Sequence, residues 1–121
     1  MRKKILFSLL FLLVFTKALS EEITGKAIVI DGDTIKINDE RIRLYGIDAP
    51  EKEQICKKIY LSFFIFNFQK DYKCGEKSIL ELSKKLNNKK VKCTLQSNKD
   101  RYKRYIGICY IKNQDINRWL V

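Results

Sequence analysis

Apolar and polar positions alternate along much of this chain, and where they do the residues read as strands. Residues 25–30 predict a first strand, and 33–37 and 41–47 a second and third, separated by turn signals at Asp31-Gly32 and Asn38-Asp39-Glu40. In the third, Ile42, Leu44 and Gly46 fall on one face, with Arg43, Tyr45 and Ile47 on the other. The short connections imply a meander. The period then changes: Ile79, Leu80, Leu82 and Leu86 recur at helical spacing, so a helix is expected from Cys74-Gly75 to a stop at Asn87-Asn88. Alternation returns at Val91, Cys93 and Leu95 for a fourth strand and over 105–111 for a fifth, around a polar, basic loop at 97–104. Arg118-Trp-Leu-Val121 reads as the first turn of another helix. That order predicts a mainly β, α+β fold: a five-stranded Greek-key barrel of the OB type with one main helix.

Two stretches break the alternation. Arg2-Lys-Lys4 precedes an apolar run over 5–15, and Ala18-Leu-Ser20 offers small residues for cleavage. This is the layout of a signal peptide over 1–20, with one domain over 21–121, since eleven apolar residues are few for a bilayer span. The second is Ile59-Tyr-Leu-Ser-Phe-Phe-Ile-Phe-Asn-Phe68, too short to span a membrane and too apolar for a free loop. It is expected to pack over the barrel or to form a partner patch. Residues 51–56 before it are polar and suit a helical turn.

The formal charge is +11; setting aside Arg2, Lys3, Lys4 and Lys17, 21 Lys and Arg against 14 Asp and Glu leave +7. Such a surface favours polyanions and speeds their encounter. Cys56, Cys74, Cys93 and Cys109 show no metal-type Cys spacing, and the chain has no His, so disulfides outrank zinc. Of the three possible pairings, Cys93–Cys109 with Cys56–Cys74 is favoured, because Cys93 and Cys109 should face each other across one hairpin. The expected address is outside the cytoplasm, periplasmic or extracellular.

The chemistry gathers in Asp31-Gly-Asp-Thr34 and Arg41-Ile-Arg-Leu-Tyr-Gly-Ile-Asp-Ala-Pro-Glu51. Without His, proton transfer falls to a carboxylate, and Asp33, Asp48 and Glu51 are the clustered candidates. Their hard oxygens suit Ca²⁺. Arg43 and Arg104 offer guanidinium forks that match phosphate oxygens. Taken singly, Asp31 and Asp33 read equally well as turn formers, and Arg43 as an ion-pair partner of Glu51.

With Asp100-Arg-Tyr-Lys-Arg104, these segments resemble the thermonuclease (staphylococcal nuclease-like) family, whose signature is DGDT, then R-L-x-G-I-D-[AT]-P-E, then D-[KR]-Y-x-R. The resemblance runs from about Gly25 to Val121. It implies an OB barrel and an exported, calcium-dependent nuclease that cleaves DNA and RNA, prefers single strands or frayed ends, and leaves 3′-phosphates. It implies calcium held by Asp33, Asp48 and the carbonyl of Ala49, and an attacking water oriented or deprotonated by Glu51. Arg43 and Arg104 would clamp the phosphate, Arg101 and Tyr102 would position it or the neighbouring nucleotide, and Asp31 would support the ligands. No stable protein partner is implied, and membrane contact only in transit through the signal peptide. The alternative is a non-catalytic OB-type module that binds nucleic acid through its basic face.

Four departures from the family pattern carry expectations. Ala49 replaces the frequent Thr, and the apolar 59–68 run replaces a short polar loop. Lys103 stands where the family has Gly; a positive φ there would cost about 1 kcal/mol and could misplace Arg104. Family members continue past the position of Val121 with a further helix, so a shortened, marginally stable and weakly active chain is expected, with Trp119 and Leu120 exposed.

Overall fold

A computed structural model describes residues 20–121, so the signal-peptide reading lies outside the described residues apart from Ser20. The elements are β1 (Glu21–Lys26), β2 (Ile28–Asp31), β3 (Thr34–Ile37), β4 (Glu40–Leu44), β5 (Cys56–Phe63), β6 (Phe66–Tyr72), α1 (Cys74–Leu86), β7 (Lys90–Leu95), β8 (Tyr105–Ile111), β9 (Gln114–Asp115) and α2 (Ile116–Trp119). The main sheet runs β1-β7-β8-β4-β3-β2, with β9 added to β8. Among the described strands only β4 and β8 pair in parallel. The two outer members of this path, β1 and β2, are consecutive in the chain with only Ala27 between them. The sheet therefore curls, in a generally OB-like way. Asn38 Nδ2 donates to the Thr24 carbonyl at 3.3 Å and ties the β3–β4 turn to β1.

The core lies inside the curl and draws on both expected periodicities. Ile35, Ile37, Ile42, Leu44, Val91, Cys93 and Cys109 come from alternate strand positions, and Leu82 and Leu86 from one stripe of α1. Leu80, expected on that stripe, is exposed: it sits off the arc that Leu82 and Leu86 turn to the sheet. Cys93 and Cys109 are direct cross-strand partners and are joined by a disulfide. The second disulfide, Cys56–Cys74, ties the start of β5 to the first residue of α1. Both pairings are the expected ones and suit an oxidising, extracytoplasmic environment. Among the described residues no helix is long and apolar enough to cross a membrane.

Several expectations change. The first strand starts at Glu21 rather than at 25, because Glu21 to Lys26 pair one for one with Leu95 to Lys90. That ladder is a tertiary contact and leaves no apolar signature on Glu21-Glu22. The third strand ends at Leu44 instead of 47. Gly46 turns the backbone at φ 73°, which resets the alternation, so Ile47 is buried while Tyr45 is exposed. The polar segment before β5 holds one turn, with Gln54 N–H donating to the Glu51 carbonyl at 2.9 Å. The 59–68 run does not pack over the barrel: it belongs to the β5–β6 hairpin, a separate two-stranded sheet exposed along both strands. At the other end a helical turn forms two residues earlier than expected: α2 is capped by Asp115, whose carboxylate accepts from Arg118 N–H at 2.9 Å. Leu120 packs against the core, and Lys85 Nζ lies 4.7 Å over the Trp119 ring.

Two glycines test how tightly the 45–52 segment is held. A methyl group at Gly75 would overlap the carbonyl oxygens of Glu51 and Lys52, whereas one at Gly46 would meet no atom within 4 Å. Gly46→Ala should therefore cost about 1 kcal/mol through its positive φ. Gly75→Ala should cost more, at or beyond the roughly 1–3 kcal/mol of an overpacked site, and urea unfolding of the two variants checks the order.

Candidate active site

Asp33 is the hub. It follows a turn that only Gly can make here, because a Cβ at Gly32 would fall 2.5 Å from Ser78 Oγ and 2.7 Å from Ala49 Cβ. The β2–β3 turn thus wedges between α1 and the 47–49 segment, and Asp33 enters β3 buried. Its Oδ1 accepts from the Thr34 hydroxyl at 2.9 Å. Its Oδ2 accepts from Arg43 Nη1 at 3.1 Å and from the Ala49 backbone N–H at 3.4 Å.

Arg43 reaches Asp33 because β3 and β4 pair antiparallel with Thr34 opposite Arg43. Its second fork nitrogen donates to the Ile47 carbonyl at 3.2 Å and lies 3.7 Å from Asp48 Oδ1. The Asp33 side chain is only 10 % exposed and that of Asp48 96 %, so the two ion pairs differ in weight. The Asp48 pair is screened by water and worth about 0–1 kcal/mol. The Asp33 pair neutralises a carboxylate that water barely reaches. Arg43, Tyr45, Asp48 and Ile106 line an open groove of about 420 Å³ beside it. A larger hollow of about 590 Å³, lined by Asn88, Lys90 and Ile111 among others, shares no residue with this site.

A second cation arrives from the 97–104 loop. Asp100 binds its own loop shut: Oδ1 accepts from the Tyr102 and Arg104 backbone N–H groups, each at 2.9 Å, and Oδ2 from Arg104 Nε at 2.9 Å. Lys103 does take a positive φ of 60°, as the Gly comparison anticipated. Arg104 nevertheless reaches the hub, with Nη1 3.5 Å from Thr34 Oγ1. The result is one continuous chain of contacts, Arg104 to Thr34 to Asp33 to Arg43. Tyr102 lies exposed beneath two guanidinium groups, those of Arg101 at 4.8 Å and Arg104 at 5.1 Å from its ring centre. Its carbonyl accepts from Arg41 Nη2 at 2.9 Å.

The carboxylates are not gathered as expected. Arg43 stands between Asp33 and Asp48, and the exposed Glu51 lies in a turn whose backbone rests on Gly75. Among the described residues no group of three or more His, Cys, Asp or Glu could cage a metal ion. Nor does Arg43 pair with Glu51, whose side chain makes no hydrogen bond or ion pair among those residues; the guanidinium goes to the more buried Asp33. Asp31 is half-buried and also outside the network.

Two residues at the site escaped the sequence reading. Asp100 was visible only as the first letter of a motif, although an Asp whose carboxylate accepts from the N–H two residues on is the pattern of an Asx turn. Asn117 carried no signal at all. It is buried, donates to the Tyr45 and Gly107 carbonyls at 2.9 and 3.0 Å, and accepts from Cys109 N–H at 2.9 Å. It thereby fastens the end of β4 to β8.

Comparison with known proteins gives the family. Residues 41–121 match the family described as Staphylococcal nuclease homologue. The chain is also 38 % identical over 104 residues to the succinoglycan biosynthesis protein ExoI of Rhizobium meliloti (strain 1021). That alignment covers 84 % of this chain and 50 % of the relative, so the chain spans about half the length of the curated relative it matches.

Two outcomes test the network. Arg43→Ala should destabilise the fold by about 1–3 kcal/mol, because the buried Asp33 carboxylate loses its cation, and adding Asp33→Asn should recover most of that loss in urea melts. The second concerns pH. Hydrogen bonds from the Arg104 backbone and guanidinium, and from the Tyr102 N–H, hold the Asp100 carboxyl below its ordinary value. A depressed folded value means that the loop's stabilisation is complete above the ordinary carboxylate range, near pH 4, and lost only as pH falls through the lowered value. NMR titration should show the Tyr102 and Arg104 amides shifting below about pH 4, with no change between about pH 5 and 8.

Proposed function

Because this chain belongs to the Staphylococcal nuclease homologue family, we propose that it is an exported nuclease that hydrolyses phosphodiester bonds of DNA and RNA with calcium. The observation that carries the reading is the linked pair of cations. Arg43 and Arg104 come from separate segments and meet at adjacent residues, Asp33 and Thr34, so both forks address one place. A phosphate seated there would accept hydrogen bonds from two side chains that stay charged at any working pH. Each fork is held by a carboxylate, Arg43 by Asp33 and Arg104 by Asp100, which fixes its direction before substrate arrives.

The donors around this place are oxygens: the Asp33 and Asp48 carboxylates and the Ala49 carbonyl. In this reading they would hold a calcium ion that keeps much of its water, since among the described residues they form no closed cage. When bound, calcium supplies positive charge opposite the phosphate oxygens. Glu51, exposed and unpaired, takes the proton of the attacking water. Tyr102, with Arg101 and Arg104 over its ring, offers a surface for the neighbouring nucleotide. In this reading the substrate is preferentially single-stranded, the product ends in a 3′-phosphate, and the chain acts in the periplasm or outside the cell.

Single-stranded DNA should be degraded with calcium and spared with chelator. Glu51→Gln should abolish cleavage while binding persists, and Arg104→Ala should slow turnover about 10²–10³-fold. Full-rate cleavage by Glu51→Gln would remove that residue from its role. Binding without cleavage by the wild-type chain would make it a nucleic-acid-binding module instead.

A further inference from the structure

The β5–β6 hairpin serves neither the core nor the site described above. Its strands pair only with each other, and every residue from Lys57 to Tyr72 is exposed. The side chains are arranged in layers along its length. At the root, Lys58 and Lys70 face each other directly across the ladder, and neither is within ion-pair distance of a carboxylate among the described residues. Like charges in that position repel, so the pair calls for an anion from outside. Further out, Tyr60 and Phe68 lie with ring centres 6.5 Å apart. At the tip, Phe63 pairs with Phe66 around the turn residues Phe64 and Ile65, each 88 % exposed.

The turn is the telling feature. A two-residue hairpin turn selects Asn-Gly, Asp-Gly or a leading Gly, because it needs positive φ. Here Phe64 adopts φ 50° with a bulky side chain, and Ile65 is β-branched. Neither residue helps the turn form, so folding of the hairpin does not account for them. Below them, Ser62 and Asn67 are cross-strand partners, and the Ser62 hydroxyl donates to Asn67 Oδ1 at 2.7 Å. These two polar groups satisfy each other inside the apolar segment, which lowers the cost of taking both out of water.

We propose that this hairpin is a membrane-insertion element, with its Phe64-Ile65 tip entering the interface of an anionic phospholipid bilayer and Lys58 and Lys70 resting on the headgroups. Alternation puts Leu61, Phe63, Phe66 and Phe68 on one face of the ladder and Ser62, Asn67 and Gln69 on the other. A hairpin with one apolar face and an apolar tip fits a bilayer interface, where the apolar face turns to the acyl chains and the polar face to the headgroups. Aromatic rings between a basic root and an apolar tip match the polarity gradient of a bilayer interface. The Cys56–Cys74 bond anchors the root to α1, so the tip can leave water without dragging on the barrel. The surface shares no residue with the candidate active site and does not depend on its reading.

The test uses the chain over 21–121, which contains every strand, both helices and both disulfides described above. It should co-sediment with vesicles of mixed phosphatidylglycerol and phosphatidylcholine, and much less with phosphatidylcholine alone. The double variant Phe64→Asp/Ile65→Asp should bind the anionic vesicles at least about tenfold more weakly, and Lys58→Glu/Lys70→Glu several-fold more weakly. Circular dichroism of both variants should match wild type, since the altered residues are exposed. Independently, Phe64→Trp should shift its emission to the blue on anionic vesicles and be quenched by brominated lipid. Equal binding by wild type and the tip variant, no vesicle binding, or no emission change would overturn the proposal. So would self-association relieved by the tip variant without vesicle binding, which would give the surface to a second copy of the chain.

Discussion

A carboxylate placed where water scarcely reaches is costly without a cation beside it, and Asp33 is so placed. Its position follows from the tight turn at Gly32, which admits no side chain between Ser78 and Ala49. Arg43 is the cation, delivered by the β3–β4 register. The same carboxylate also accepts from the Ala49 N–H, so one group holds the start of β3, the middle of β4 and the segment leaving β4. Breaking the pair leaves a charge stranded, which is why so many local features depend on it.

From that hub the order spreads outward through polar contacts. Thr34 passes it to Arg104, and Arg104 is held by Asp100 within its own loop. The loop tolerates Lys103 in a left-handed conformation because Asp100 secures the backbone on both sides of it. Asn117 performs the matching task inside, joining Tyr45, Gly107 and Cys109. The cations that would meet a phosphate are thus set by carboxylates and amides that would never touch it.

The hairpin follows a different logic. The barrel buries its apolar residues at alternate positions, whereas β5 and β6 expose theirs and are tied down by a disulfide at the root. The two parts can therefore answer to different surroundings, the barrel to a polyanion and the hairpin to whatever covers its tip.

Local chemistry was legible in the sequence. Alternation announced the inward residues of β3, β4, β7 and β8, and helical spacing announced Leu82 and Leu86, because side-chain direction repeats with backbone geometry. The facing positions of Cys93 and Cys109 followed from the same rule. The motif spacings brought out Asp33, Arg43 and Asp48, because short turns and strand register fix such residues over few bonds, whereas Arg104 came from the family resemblance. What the sequence could not decide involved partners distant along the chain. Glu21 and Glu22 became strand only through β7, and Ile47 turned inward because Gly46 reset the phase. Asn117 looked like any polar residue until the fold brought three backbone groups to it. The 59–68 run showed its apolarity plainly, but not its place. Hydrophobicity requires only that such a surface find cover, and tertiary structure alone left it standing clear of the barrel.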